Sequence, residues 1–277
     1  MIGEPDLTEL SAPEANRLLY ADHAAIYDET EHCIAQERVR GLLEGVLDRA
    51  VAAVGSDEPV VLDACGGTGN VSELLARRGI TTTVADVSPE MLALWRAKAE
   101  RLGVEAETCE GEIEPFLRDD PREWDLIVFS SALHHLDDYV ATARLAASRL
   151  APGGALVSAF DPVPAKDRLT VLLRRFDYLL SLALHPHHLL AAIRRRRDRS
   201  AGREDVNYGA RAELHALAGV DDEAIVAALR ADGLEIVEHQ RYAIPRYRVT
   251  KWLYDLARRP TTFHLIARRP EPGGAPS

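Results

Sequence analysis

The stretch Val60–Ala76, "VVLDACGGTGNVSELLA", decides the fold of this chain. An apolar run ends at Asp63 and passes almost directly into three glycines, Gly66, Gly67 and Gly69, before a helical pattern begins. Glycine allows backbone angles that a β-carbon blocks, and it lets a ligand approach the main chain closely. Ligands of open parallel sheets bind at the carboxyl ends of the strands, so this turn predicts a ligand site.

Short β-rich segments alternate with helical segments on both sides of that turn. The β-rich segments are "VVLDAC", "TTTVAD", "VEAETC", "WDLIVFS", "GALVSAFD", "LEIVEHQRYAI" and "TTFHLIARR". Between two of them, Ser88 and Pro89 are typical of a helix start and Gly103 of a helix end. Strand–helix alternation requires parallel pairing through right-handed crossovers. The chain is therefore predicted to be an α/β protein with a doubly wound, mostly parallel sheet.

Five regions follow from this pattern. They are an N-terminal helical cap (1–57), a ligand-binding core (58–161), a helical insertion after the fifth strand (162–215), the C-terminal part of the core sheet (216–268) and a disordered tail (269–277). The insertion is too long for an ordinary connection between two elements.

The composition limits the classes of function. The net charge of −11 and a pI near 5.4 argue against a general nucleic-acid-binding protein, which needs a basic face. Cys33, Cys65 and Cys109 form no Cys-x-x-Cys motif and are interpreted as reduced thiols. The N-terminus has no signal-peptide pattern, and no run of eighteen apolar residues occurs. We expect a cytoplasmic protein with no membrane span.

Two other interpretations of the glycine turn fail on spacing. A P-loop would place Gly-Lys-Ser/Thr at its end, whereas Asn70 follows Gly69. A dinucleotide fingerprint would need a third glycine where this chain has Ser72, which weakens a nicotinamide-binding interpretation. Asp86 ends the next strand about twenty residues further on, where a carboxylate can accept hydrogen bonds from both hydroxyls of a ribose.

Five motifs in order carry a family resemblance: "LDACGGTGN", "ADVSPEML", "CEGEIEPF", "WDLIVFSSALHHLDD" and "LAPGGALV". Over roughly residues 58–160 the chain resembles the class I S-adenosylmethionine-dependent methyltransferases, closest to the small-molecule branch of quinone and natural-product biosynthesis. The resemblance implies a seven-stranded Rossmann-like sheet with the last strand antiparallel, and S-adenosylmethionine as the cofactor.

The resemblance also implies the residues that hold the cofactor, position by position. Those around its methionine part would be Asp63, Gly66, Gly67 and Gly69. Its adenosine would meet Asp86 at the ribose, Val87, Met91 and Ile113 along the adenine, and Glu112 at the adenine amino group. Ser130 would lie near the sulfonium, and Tyr27, in a Tyr-Asp pair, on a helix that closes over the cofactor. For that helix, which also carries Tyr20 and His23, a plain amphipathic role is an equal alternative.

Three residues are candidates for catalysis. His134 and His135 follow the fourth strand, and a histidine there is suited to take a proton near neutral pH. Positioning of the acceptor without base catalysis is the alternative. Asp161, after the fifth strand, would orient a histidine, bind the acceptor or only cap a turn. Metal-dependent relatives carry carboxylates where this chain has Ser130 and Ser131, so no metal is expected, despite His185, His187 and His188.

The apolar stretch Leu169–Leu184 has three candidate roles: a roof over a substrate pocket, a homodimer contact or an extension of the core. The resemblance favours the roof, with Tyr208, Tyr242, Tyr247 and Trp252 as wall residues. The main hypothesis is methyl transfer to an oxygen, nitrogen or carbon of a small-molecule acceptor, in secondary metabolism. A nicotinamide-dependent oxidoreductase and a non-catalytic module that binds the cofactor are the alternatives.

Overall fold

The computed structural model describes residues 11–24, 27–30, 34, 36–165, 167–184, 215 and 218–272. Within the described residues before the sheet, the main helices are α1 (Ala12–His23), α2 (Tyr27–Thr30) and α3 (Glu37–Val54). The core then runs β1 (Val61–Ala64), α4 (Asn70–Ala76), β2 (Thr82–Asp86), α5 (Pro89–Leu102), β3 (Glu107–Glu110), α6 (Ile113–Asp119), β4 (Trp124–Ser130), a 3₁₀ turn (Leu133–His135), α7 (Tyr139–Ser148) and β5 (Leu150–Pro162). It ends with α8 (Arg168–Leu184), α9 (Asp222–Ala231), β6 (Glu235–Tyr242), α10 (Arg248–Leu256) and β7 (Thr262–Arg268).

The strands form one seven-stranded sheet in the order β3-β2-β1-β4-β5-β7-β6. Strands β1 to β5 are parallel, and β7 is antiparallel to both β5 and β6. The predicted doubly wound, Rossmann-like sheet with an antiparallel last strand is confirmed. The sequence order reverses beside β1, which is where open sheets of this kind bind ligands.

Helices cover both faces of the sheet, and each face has its own apolar core. One core joins the sheet to α6, α7 and α9 through Leu117, Ala143 and Ile225. The other joins it to α3 and α4 through residues such as Leu43 and Leu74. Strands β1 and β4 are apolar without alternation because both of their faces are buried.

Local signals set the helix ends near the site. Ser88 caps α5, its hydroxyl accepting from the backbone N–H of Met91, and Gly103 ends that helix in the left-handed region at φ 69°. At the N-terminus, Ser11 and Glu14 form a reciprocal capping box that fixes the start of α1. The described part of the predicted insertion is α8. Its histidine cluster, the arginine run Arg194–Arg197, Tyr208 and the last residues of the tail lie outside the described residues.

Candidate active site

A cleft of about 630 Å³ opens at the carboxyl ends of β1, β2 and β4, beneath α1 and α2. Its lining includes these predicted site residues: Tyr27, Asp63, Gly66, Gly67, Asp86, Val87, Met91, Glu112, Ile113, Ser130 and His135. Gly69, His134 and Asp161 lie outside that lining. Residues from five separate segments of the sequence therefore meet in one cavity.

Glycine is required at the three positions of the turn for different physical reasons. A β-carbon on Gly69 would lie 2.3 Å from the ring of Trp95, and one on Gly66 would lie 2.6 Å from the carboxyl carbon of Asp63. Only Gly67, at φ 53°, leaves room, with its nearest neighbours Met91 at 3.5 Å and a carboxylate oxygen at 4.0 Å. Backbone angles and close approach of a ligand were the two predicted reasons. The positive φ of Gly67 and Gly69 agrees with the first, and packing within the protein is a further reason for Gly66 and Gly69.

Asp63 is a buried carboxylate at the end of β1. Its Oδ2 accepts hydrogen bonds from the hydroxyl of Ser72 at 2.7 Å and from the backbone N–H of Ser72 at 3.1 Å. Burial raises the pKa of Asp63 to about 6, although the two hydrogen bonds oppose the shift. A buried negative charge is unfavourable unless it is paired. A cationic ligand in the cleft would therefore stabilise the ionised carboxylate of Asp63.

Asp86 anchors the glycine turn to the end of β2. Its Oδ2 accepts from the backbone N–H of Gly67 at 2.8 Å, and its Oδ1 accepts from that of Ser88 at 2.9 Å. Burial raises the pKa of Asp86 as well. Each carboxylate oxygen has a second lone pair, so both can still accept from the hydroxyls of a sugar.

Apolar residues line the cleft next to Asp86. Met91 and Ile113 are buried, and Val87 lies between Asp86 and the cap of α5. Glu112 is exposed at the start of α6, and no hydrogen bond of its side chain caps that helix. A flat apolar slot with a carboxylate at its rim fits a nucleobase that carries an amino group.

His135 is the histidine that faces the cleft. Its Nε2 lies 2.9 Å from the hydroxyl of Tyr20 on α1, and the two rings meet edge to face at 5.5 Å. Tyr20 also contacts the ring of Tyr27 edge-on at 5.6 Å. Tyr20, His23 and Tyr27 were predicted to share the face of one helix, but Tyr20 lies on α1 and Tyr27 on the separate helix α2. Both tyrosines line the cleft, and the side chain of His23 lies outside the described residues.

His134 is buried behind the cleft and is held by Asp161. Its Nδ1 lies 2.8 Å from Oδ1 of Asp161, and its backbone N–H donates to the same oxygen at 3.0 Å. Because a carboxylate only accepts, Nδ1 carries the proton of this hydrogen bond. Ser158 donates to the other carboxylate oxygen at 3.2 Å. The pair fixes the turn that presents His135, whose ring centroid lies 3.9 Å from that of His134.

Asn16 lines the same cleft one turn before Tyr20, and the sequence analysis did not single it out. Its side-chain amide donates to the carbonyl of Ala12 at 2.9 Å and to that of His135 at 3.5 Å. Both partners only accept, so the amide cannot flip. Its Oδ1 then has no hydrogen-bond partner among the described residues, although Asn16 is only 7% exposed. An unpaired buried acceptor costs about 1–3 kcal/mol, which a ligand that donates a hydrogen bond would recover.

An ion pair holds the short helix α2 against α5, and its lysine, Lys98, was not singled out by the sequence analysis. Lys98 on α5 is buried, and its Nζ lies 2.6 Å from Oδ2 of Asp28 and 3.0 Å from the hydroxyl of Thr68. Thr68, in the glycine turn, donates to the other oxygen of Asp28 at 2.6 Å. We call Asp28, Thr68 and Lys98 the α2 clasp. It holds Tyr27 over the cleft.

Three residues at the carboxyl ends of neighbouring strands have left-handed backbone without being glycine. Cys65 follows β1 at φ 54°, Ser131 follows β4 at φ 55°, and Phe160 lies near the end of β5 at φ 68°. Such conformations are strained for residues with a β-carbon and cluster at functional sites. Each one turns the chain where the cleft or the His134–Asp161 pair is built.

Of the four aromatic residues predicted as walls of the substrate pocket, Tyr242, Tyr247 and Trp252 do not line the cleft, and Tyr208 lies outside the described residues. Trp252 is 61% exposed on α10, and the rings of Tyr242 and Phe160 meet edge-on at a centroid distance of 6.4 Å. The described part of the insertion, α8, packs through Leu173 against Tyr254 of α10. A roof over the cleft stays a prediction for the insertion as a whole, of which residues 185–214 lie outside the described ones.

One cluster in the described ranges has donor atoms close enough for a metal ion: Asp222, Glu223 and His239. Arg241 donates to both oxygens of Asp222 at 2.6 and 2.8 Å. Both oxygens of Asp222 therefore already accept hydrogen bonds from the guanidinium of Arg241. The cluster is best described as an ion-pair network between β6 and α9.

Known proteins resemble this chain in sequence and in fold. Residues 61–154 match the family model described as "Methyltransferase domain". A ubiquinone biosynthesis O-methyltransferase of Xanthomonas campestris pv. campestris (strain B100) is 32% identical over 127 residues, which cover 46% of this chain and 53% of that protein. The chain thus matches about half the length of this curated relative.

Two solved structures share the whole architecture at low identity. The magnesium protoporphyrin IX methyltransferase of Synechocystis PCC 6803, with bound S-adenosylmethionine, has a TM-score of 0.58 at 14% identity, covering 94% of this chain and 98% of that one. The (4+2)-cyclase SpnF has a TM-score of 0.60 at 14% identity, covering 95% and 98%. Since a protein described as a cyclase shares it, the fold alone does not decide the reaction.

Proposed function

We propose that this protein, a class I S-adenosylmethionine-dependent methyltransferase by its residues 61–154, transfers a methyl group to a small-molecule acceptor bound beside His135. The family match confirms the resemblance inferred from the sequence motifs. It supports methyl transfer over the nicotinamide-dependent and non-catalytic alternatives. The observation that carries the proposal is the meeting of the glycine turn, Asp63, Asp86 and His135 in one cleft.

The residues of the cleft fit S-adenosylmethionine by the chemistry of their side chains. Asp63 would face the cationic ammonium, since burial raises the pKa of its carboxyl and a nearby positive charge would stabilise the ionised form. Asp86 would accept from the ribose, and Gly67 leaves the space that a β-carbon would fill. Val87, Met91 and Ile113 would enclose the adenine, with Glu112 at its rim. Bound there, the cofactor supplies a methyl group on a positively charged sulfur.

The chain's own residues would then position the acceptor and remove its proton. With Nε2–H of His135 donating to the hydroxyl of Tyr20, Nδ1 would be the nitrogen that takes a proton from an acceptor hydroxyl. The unpaired Oδ1 of Asn16 would accept from a second donor group on the acceptor. Asp161 would act through His134, by holding the turn that carries His135. Alignment of the acceptor supplies much of the rate in such displacements.

The setting of the reaction is part of the same proposal. We assign the acceptor to the small organic molecules of secondary metabolism rather than to nucleic acid, because the chain is acidic. Cys65 and Cys109 are free thiols, which is compatible with the reducing cytoplasm. No helix of the described residues is long and apolar enough to cross a membrane. A homodimer stays a prediction that sedimentation velocity tests.

Ligand binding and turnover test the proposal in two steps. Thermal-shift titration should show stabilisation by S-adenosylhomocysteine and none by NADPH. Methyl-labelled S-adenosylmethionine, incubated with a panel of phenols, catechols, quinols and amines, should then label at least one acceptor. Stabilisation by NADPH alone would favour the oxidoreductase, and tight binding without labelling of any acceptor would favour the non-catalytic module.

A further inference from the structure

Helices α8 and α10 carry an unusual amount of exposed apolar surface. Among the described residues, seven large apolar side chains are more than half exposed, and all seven lie on these two helices. They are Leu172, Tyr178, Leu179, Leu184, Val249, Trp252 and Leu256. Exposed apolar residues are normal when scattered, but a concentration of this kind marks an interaction surface.

The apolar residues follow the helical repeat and face away from the body. On α8 only Thr170 and Leu173 are buried, and Leu172 and Leu179 lie seven residues apart on the opposite side. On α10, Thr250 and Tyr254 point inward. The residues Val249, Trp252 and Leu256 form its outward stripe. The helices pack side by side through Leu173 and Tyr254, so we treat their outward sides as one surface, the α8–α10 face.

The same face is basic in an acidic protein. Residues 167–184 and 246–259 hold eight basic and three acidic residues, a net charge of +5 in a chain whose net charge is −11. The three acidic residues are all engaged: Asp167 with Arg259, Asp177 with Thr250, and Asp255 with Lys251. Five exposed arginines carry a guanidinium group that forms no ion pair among the described residues, namely Arg168, Arg175, Arg246, Arg248 and Arg258.

We propose that the α8–α10 face docks on an anionic lipid bilayer. Leucine and tryptophan side chains interleaved with arginines along helices that lie on the surface are the pattern of interfacial membrane binding. Long arginine side chains can reach the headgroups while the apolar residues enter the acyl boundary. A second copy of the chain is a poorer occupant, because a twofold interface would place this +5 surface against itself.

The topology places the docking face on the same edge of the sheet as the cleft. Strands β5 and β6 are both antiparallel to β7, so their carboxyl ends lie at one edge, and it is the edge where β1, β2 and β4 open into the cleft. Helix α8 begins shortly after β5, and α10 shortly after β6. A docked protein would hold its cleft near the membrane. This inference concerns a surface and does not depend on methyl transfer.

Vesicle flotation with the full chain tests the proposal. Vesicles of one part phosphatidylglycerol to three parts phosphatidylcholine should carry the protein to the top of a sucrose gradient, and pure phosphatidylcholine vesicles should not. Raising the salt from 0.1 to 0.5 M should weaken the binding, because charge contributes. Replacing Arg175 and Arg248 by glutamine should lower the partition coefficient about fivefold per arginine. The matched control replaces Arg101 and Arg230, exposed arginines on other helices, and should change nothing.

A second pair of variants isolates the apolar contribution. Leu172→Ser with Trp252→Ser should abolish flotation without altering the melting temperature, since both side chains are mostly exposed. The control pair, Val60→Ser with Leu102→Ser, changes exposed apolar residues elsewhere and should float normally. Failure of the wild type to float, or equal binding by variants and controls, would overturn the proposal. So would a dimer in sedimentation velocity that the Leu172/Trp252 variant loses, because the face would then bind a second copy.

Discussion

The hydroxyl of Tyr20 lies 2.9 Å from Nε2 of His135, so a helix that precedes the sheet completes the environment of a histidine that follows the fourth strand. His134, its neighbour in sequence, is instead buried against Asp161. The two histidines therefore have separable roles, one in the cleft and one behind it.

Replacing His135 by alanine should lower kcat by about 100-fold or more, with little change in melting temperature, because the side chain serves as a base at the cleft surface. Tyr20→Phe should lower kcat about tenfold, the value of one lost hydrogen bond to the imidazole. The measurement is initial rate against pH, with an acceptor found by the labelling screen. Near wild-type rates in His135→Ala would leave alignment of the acceptor as the whole of catalysis.

His134→Ala should act mainly on stability. It removes a buried hydrogen bond from the carboxylate of Asp161 and leaves a small void, which lowers the free energy of unfolding by about 2–3 kcal/mol. Urea denaturation with S-adenosylhomocysteine absent measures this directly. His134→Asn offers the matched variant, since its amide can still donate to Asp161, and it should recover part of the loss. A loss in His135→Ala as large as in His134→Ala would contradict this division.

Alanine substitutions in the glycine turn can distinguish positions that need glycine for packing from those that need it for ligand contact. Gly69→Ala should lower the free energy of unfolding by about 3 kcal/mol, since its β-carbon meets Trp95 and its φ is 72°. Gly67→Ala should cost only about 1–2 kcal/mol but weaken S-adenosylhomocysteine binding at least tenfold, measured by calorimetry. Gly41→Ala, in an open position on α3, is the control and should stabilise slightly. Unchanged affinity in Gly67→Ala would place the ligand elsewhere.

The pKa of about 6 at Asp63 predicts how cofactor affinity depends on pH. Protonation neutralises the carboxylate that faces the ligand's ammonium, so the Kd of S-adenosylhomocysteine should be constant above pH 7 and rise about tenfold by pH 5. Asp63→Asn should bind weakly with little dependence on pH, which separates Asp63 from the histidines. The same affinity for the wild type at pH 5 and pH 7 would exclude Asp63 from the ammonium site.

The contribution of Asp63 to the stability of the unliganded protein depends on pH in the opposite direction to cofactor affinity: it is larger at low pH. The native pKa lies above the unfolded value of 3.8, so the folded state binds more protons than the unfolded state between about pH 4 and pH 6. The contribution of this group to the free energy of unfolding therefore falls as pH rises through that interval. Below pH 4 the contribution is complete, and above pH 6 it is lost.

The α2 clasp should control how fast the cofactor product leaves. Lys98→Met removes the partly buried ion pair with Asp28, so helix α2 opens more readily, and the dissociation rate of S-adenosylhomocysteine should rise about tenfold. Stopped-flow displacement measures that rate. Lys251→Met breaks a similar short ion pair on the surface of α10 and should leave it unchanged. Equal dissociation rates in Lys98→Met and the wild type would show that α2 does not gate the site.

Local signals were sufficient to predict the sheet and most of the residues that line the cleft at its strand ends. Apolar strands, glycine turns and caps such as Ser88 and Gly103 act within a few residues, and the parallel order then brings Asp63, Asp86 and Ser130 to one edge. The acceptor side depends on contacts between distant segments. Asn16 and Tyr20 meet His135 across 119 and 115 residues, and no pattern within a window of sequence reports such a meeting.

The Asn16–Tyr20 pair and Lys98 each carry a signal in the sequence. Asn16 and Tyr20 lie four residues apart, which is helical spacing, and a search for polar pairs on the cap would have singled them out. Lys98 lies on the α5 face that also buries Trp95 and Ala99, where a lone cation needs a partner. Its partner Asp28 is adjacent to Tyr27, so the Tyr-Asp pair contributes one residue to the cleft and one to the clasp.

Under the proposed assignment, Asn16 and Tyr20 of α1 meet the acceptor, whereas Asp63 and Asp86 at the strand ends meet the cofactor, so much of each specificity is carried by a separate stretch of the chain. Chimeras that transplant residues 11–36 between relatives should exchange which compound is modified while leaving the methyl donor unaltered. Directed evolution toward new acceptors would accordingly concentrate its libraries on α1, where a changed side chain meets the acceptor without disturbing the sheet.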